Sequence, residues 1–157
     1  MKKFLGAIIS GSLGVLGFIF LSLKNFVIKV NLIDHGSNAW EILKAGDDWN
    51  NFAGSKLYNI STVILIIVAT LLIILAIIML LQSLNVLKIK FNLNLIANVL
   101  VSVFALFALL AFIATFVYAK DAFGIIDEGY IGAGIGAWFN LIVGAIACSC
   151  GWLFARK

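Results

Sequence analysis

Few side chains in this 157-residue chain carry chemistry, and their spacing limits what they can do. The single histidine sits in Asp34-His35, and carboxylates recur as Asp47-Asp48 and Asp127-Glu128. Oxygen and imidazole ligands of this kind suit a divalent cation, but adjacent acids rarely point at one ion, and solvated loop charge explains them equally well. One histidine without a repeated ligand spacing lends no support to hydrolytic metal chemistry. The two cysteines form Cys148-Ser149-Cys150, where a bridge across one residue would be strained. They read as packing residues or a palmitoylation site. The sequence therefore predicts no catalytic residue, no metal site, no cofactor and no enzymatic activity.

The elements that must position these residues follow from composition. Hydrophobic residues make up 64 % of the chain and charged ones 11 %, proline is absent, and mean hydropathy is +1.16. A globular domain needs roughly 25 % charged residues to cover its surface, so the solvent here is a bilayer. Apolar runs at about 4–23, 58–82, 96–119 and 132–155 contain no Asp, Glu, Lys, Arg or His. Crossing about 30 Å of hydrocarbon takes roughly 20 helical residues, and backbone groups in lipid must be satisfied within the span. The prediction is an all-α membrane protein of one domain, residues 1–157, folded as a four-helix transmembrane bundle. The first run follows Lys2 and Lys3, as a secretory signal would, but is longer than a signal core and lacks a cleavage site; it reads as a retained helix.

Charge gives the orientation. Lys2, Lys3, Lys88, Lys90, Arg156 and Lys157 flank the spans on one side with no acid among them, while Asp34, Glu41, Asp47, Asp48, Asp121, Asp127 and Glu128 lie in the other connections. The positive-inside rule places both termini and residues 83–95 in the cytoplasm and makes 24–57 and 120–131 outer loops. The net charge of +4 is thus a topology signal and an attraction to anionic lipid, not a nucleic-acid footprint. Tyr58, Tyr118 and Tyr130 fall at predicted outer helix ends, where headgroup depth suits their rings.

Small residues mark close helix contacts in membranes. Gly6, Ser10 and Gly14 recur every four residues in the first run, and Gly132, Gly136, Asn140, Gly144 and Cys148 do so in the last. This predicts close packing of the first and last helices, within the bundle or against another protein. Thr62, Ala69 and Ala76 repeat every seven in the second run, and Ala108, Ala111, Thr115 and Ala119 line the third.

The first outer loop opens with alternation, Phe26, Ile28, Val30 and Leu32 on one face, which predicts a short extracellular strand, with a helical extension as the competing reading. Asn38 followed by Glu41 reads as a helix cap with its reciprocal acid, and Gly46 as the stop of an interfacial helix. Trp40, Trp49 and Phe52 are its candidate interaction residues. The inner connection alternates from Leu87 to Leu95, but Leu84, Leu87, Phe91 and Leu95 also fit one helical face, and a helical continuation is favoured.

The stretch GAGIGAWFNLIVGAIACSC, Gly132 to Cys150, resembles the last helix of the claudin and peripheral-myelin-protein group of tetraspan membrane proteins, and the layout of loops and termini is similar. Trp40-Glu41-Ile42-Leu43 supplies a loop tryptophan without the group's Gly-Leu-Trp and cysteine motif, so the group's loop disulfide is not expected. The resemblance implies a non-enzymatic plasma-membrane protein that acts by association with itself or another membrane protein. A different class remains open: a small oligomeric pore or facilitator with a path past Asn98, Ser102, Thr115 and Asn140.

Overall fold

The computed structural model describes residues 2–30, 33–44, 53–88, 91–123 and 130–155. In chain order these form α1 (Lys2–Ser22), β1 (Lys24–Val30), β2 (Ile33–Asn38), α2 (Ala39–Lys44), α3 (Ala53–Ser83), α4 (Leu93–Phe123), β3 (Tyr130–Ala133) and α5 (Ile135–Ala155). The described residues are mostly helical. Three helices are long and apolar enough to cross a membrane, over Leu5–Ser22, Gly54–Ser83 and Leu93–Tyr118. In α5 the described apolar run is Ile135–Gly151, in the shorter class.

Packing is inverted relative to a water-soluble protein. The interior is built from small or weakly polar residues such as Ala69, Ala108, Ala114, Ser61, Thr62 and Thr115, with Leu13, Leu65, Leu72 and Phe104 between them. Large aliphatic side chains stand outside: Ile60, Ile67 and Ile74 on α3, Val99, Leu106 and Ile113 on α4, Ile135, Ile142 and Ile146 on α5. In water such a surface would be an aggregation liability, whereas in lipid, small residues inside and bulk outside is the arrangement that permits tight contacts. Several helix hydroxyls are satisfied locally, Thr70 donating to the Ile66 carbonyl (2.8 Å), Ser83 to Met79 (2.8 Å) and Ser149 to Ala145 (2.9 Å), whereas the buried Ser61 Oγ has no partner among the described residues.

The helices pack in a cycle, α1 on α3, α3 on α4, α4 on α5 and α5 on α1. The first helix puts its glycines against α3, with α4 reaching two of them. A Cβ on Gly14 would stand 2.8 Å from the Ala69 carbonyl oxygen and 2.7 Å from Ile73 Cγ1; one on Gly11 would meet only the Ala76 methyl at 3.2 Å. Gly6 faces Met79 and Asn94, and Gly17 faces Phe104. The stripe of the first helix is thus spent mainly on the second span, while in the last helix Gly136 does meet the end of α1 at the Phe20 carbonyl. Gly144 and Gly151 of the last helix instead meet Ala105 and Asn98 of α4.

Several boundaries move for identifiable reasons. The second and third spans extend to 53–83 and 93–123 because polar residues at their ends are tolerated beyond the apolar run. The last helix begins at Ile135 rather than 132, since Gly132 and Ala133 are drawn into β3 by pairing with β1. Helical continuation through the inner connection does not occur. Asn85 adopts a left-handed conformation (φ 58°), and the N–H groups of Asn85 and Val86 close back on the carbonyls of Gln82 and Leu81, a Schellman-type stop. Asn92 then caps α4, its Oδ1 accepting from the Leu95 N–H at 3.2 Å. Tyr58 and Tyr118 are 2 % and 8 % exposed, so neither ring lies open at headgroup depth; both belong to the core.

The glycine contacts make a graded prediction. Gly14→Leu forces α1 away from the α3 backbone and should lower stability by about 1–3 kcal/mol or more, whereas Gly11→Ala, against one methyl, should be nearly neutral. Thermal unfolding of the purified protein in detergent checks this; equal effects would refute the contact.

Candidate interaction surface

One end of the helical body carries a small sheet, and its construction starts where α1 stops. Asn25 is 2 % exposed, and its amide nitrogen reaches the carbonyls of Phe20 (2.9 Å), Leu21 (3.2 Å) and Leu23 (2.7 Å). These carbonyls lie at and just past the last turn of α1, where Phe20 also accepts from the Leu23 N–H at 3.2 Å, and a buried amide is a neutral group that adds donors to them. The Asn25 carbonyl in turn accepts from the Gly134 N–H at 2.8 Å. A Cβ on Gly134 would collide with the Lys24 carbonyl oxygen, and one on Gly136 with the Phe20 carbonyl oxygen and, at 2.7 Å, with the Asn25 amide. Only glycine allows the start of α5 to come this close to the end of α1.

From this junction β1 runs as the central strand of an antiparallel sheet, order β2-β1-β3. Ile28 stands opposite His35 in β2 and opposite Ile131 in β3, and Val27 opposite Gly36 and Gly132. A register irregularity between Lys24 and Phe26 lets the strand leave the helix end. The strand read from the sequence is present, but its burial does not alternate: Phe26 and Val27 are both buried and Ile28 is half-buried, with Phe26 edge-on to Tyr118 at a ring-centroid distance of 5.3 Å. A strand from the second connection thus shares a sheet with two from the first.

The capping box is present as read. The Glu41 N–H donates to Asn38 Oδ1 at 2.9 Å, and the Asn38 N–H donates to Glu41 Oε2 at 3.0 Å, starting α2. Ala39 and Ile42 turn into the core. Trp40 stacks on Phe18 (6.3 Å between centroids, 5° between planes), and its indole N–H donates to Ser22 Oγ at 3.1 Å. This proposed recognition residue is therefore held first by its own chain. Trp49, Phe52 and Gly46 lie outside the described residues, as do Asp47, Asp48, Asp127 and Glu128.

The remaining sequence candidates are dispersed rather than gathered. Ser10 and Asn140 are buried in the helical body, and Asn140 Oδ1 has no hydrogen-bond partner there. Cys148 and Cys150 are free thiols; Cys148 Sγ lies 3.5 Å from Ser102 Oγ. Among the described residues no group of three or more His, Cys, Asp or Glu side chains assembles. The residues that sequence reasoning passed over are Asn25 and Gly134. An asparagine just past a long apolar run and a glycine opening the next one were available as end signals, but their pairing across more than a hundred residues was not.

Compared with protein families, curated proteins and solved structures, the chain finds no match in any of the three.

The Asn25 junction is directly testable. Asn25→Ala removes the side-chain donor shared by these carbonyls and should destabilise by about 1–3 kcal/mol, and Asn25→Asp, which sets a carboxylate against carbonyl oxygens, by more. Thermal unfolding in detergent measures both; an Asn25→Ala protein melting with the parent would refute the role.

Proposed function

We propose that the chain is a four-helix transmembrane bundle of the plasma membrane, similar in layout to the claudin and peripheral-myelin-protein group, that works by association with itself or another membrane protein and catalyses no reaction. A fourth crossing is supported by α5, whose 21 residues extend ~31 Å and expose Trp138, Phe139 and Ile146 as the other helices expose their large residues.

The observation that carries the association reading is the sheet. It joins both connections on the acid-bearing side, stands on the Asn25 junction and, among the described residues, leaves β2 as an edge strand with β1 on one side. An edge of this kind offers main-chain donors and acceptors to a strand of another molecule. Trp40 supports that edge from beneath by fixing α2 to α1.

The permeation reading finds less support. Ser102 donates to the Asn98 carbonyl (2.9 Å) and Thr115 to the Phe112 carbonyl (2.7 Å), so these hydroxyls are engaged within their own helix. Asn98 lies against Gly151.

Native mass spectrometry of the protein extracted in mild detergent tests the reading. The expected result is a discrete complex, with a second copy or a stoichiometric partner, that Ser37→Lys on the β2 edge abolishes without changing the melting temperature. A monomer, or a complex indifferent to Ser37→Lys, would contradict it, and solute flux through liposomes containing the protein would favour a pore.

A further inference from the structure

The end of the molecule opposite the sheet holds a cleft of about 520 Å³ between the end of α3 and the start of α4. We propose that this cleft binds the phosphate-bearing headgroup of an anionic phospholipid from the adjoining leaflet. The inference does not rest on what the outer sheet associates with.

The lining has the chemistry for such a headgroup. Asn85, Asn92 and Asn94 bring amides to the cleft and Lys88 brings a cation. Among the described residues, the hydrogen bond Asn92 makes through its side chain uses Oδ1, so the amide nitrogens of all three asparagines remain donors. Phosphate oxygens are acceptors only, and several neutral donors beside one lysine suit a phosphodiester. The backbone adds to this. The carbonyl end of α3 is closed by the turn at Asn85, while the N-terminal end of α4 opens beside the cleft.

The surroundings are complementary in charge. Gly6 of α1 abuts Met79 and Asn94, both in the cleft wall, which puts the start of α1 and hence Lys2 and Lys3 at this end. Gly151 abuts Asn98, which brings the end of α5 to the same end. Every charge that the sequence places here is positive. A polybasic surface of this sort attracts anionic lipid at about fivefold per lysine.

The rim decides between a lipid and a soluble phosphate compound. Phe91 in the cleft wall is 76 % exposed, Leu84 and Val86, which flank the wall residue Asn85 in sequence, are 62 % and 66 % exposed, and Leu87 and Leu93 add apolar surface beside the amides. Facing water these side chains would be unfavourably hydrated, whereas at the boundary of headgroups and acyl chains they would be buried. An apolar rim around a polar, cationic cleft matches a molecule that has both parts.

The test uses the full chain in detergent, titrated with phosphatidylglycerol or with phosphatidylcholine of the same acyl chains, and read by native mass spectrometry. The expected result is preferential retention of phosphatidylglycerol. Lys88→Gln should reduce that retention about fivefold. Asn85→Gly keeps the left-handed turn, removes one amide without changing charge, and should also reduce it. Lys56→Gln at the opposite end should leave it unchanged, and melting temperatures report that the variants remain folded. Equal retention of the two lipids would overturn the proposal. Loss with Lys88→Gln but not with Asn85→Gly would overturn the cleft in favour of diffuse surface charge. Competition by millimolar inorganic phosphate would replace the lipid by a soluble phosphate ligand.

Discussion

The contact on which the sheet-bearing half of the molecule depends is a backbone one. Gly134 and Gly136 bring the start of α5 onto the carbonyls of Lys24 and Phe20, and the Asn25 amide holds the last turn of α1 beside them. In an apolar solvent the carbonyls ending a helix have no water to fall back on, so something in the chain must answer them. Asn25 does so, and its own carbonyl then fixes Gly134. From that point β1 and β3 are adjacent, their pairing follows, and both connections become one structure.

The opposite end is governed by charge and turn chemistry rather than by close approach. A left-handed asparagine stops α3, another asparagine starts α4, and Lys88 lies between them. The two ends therefore differ in composition: a three-stranded sheet at one, three amides and a lysine at the other. Between them the body is inverted, with alanines and hydroxyls inside and isoleucines outside, and this inversion gives the low-charge composition its structural meaning.

How much of this was legible in the sequence depends on how local the cause is. Helix cores follow from hydropathy alone, the Asn38–Glu41 box from two residues at fixed spacing, and β1 from the alternation around Phe26 and Ile28. Glycine spacing identified a contact face on α1 but not its neighbour, because a stripe of small residues fits any helix that comes close, and Gly14 proved to meet α3. Gly132 was assigned to a helix because its own neighbours are apolar and small; its strand exists only through the distant partner Val27. Tyr58 was assigned to the headgroups by its position at a helix end, whereas the rotation of α3 turns it inward. The inner connection carried both a strand and a helix period, and the asparagines at 85 and 92, not the apolar pattern, settled it.

If α3 crosses the membrane, the sheet and the Asn85–Asn92 turn lie on opposite sides of it. Single cysteines at Ser37 and at Lys88, introduced with Cys148 and Cys150 replaced by serine, can be probed in intact cells with a membrane-impermeant thiol reagent. The account predicts labelling at position 37 in intact cells and at position 88 only after permeabilisation. Labelling of both positions from the same side would contradict it.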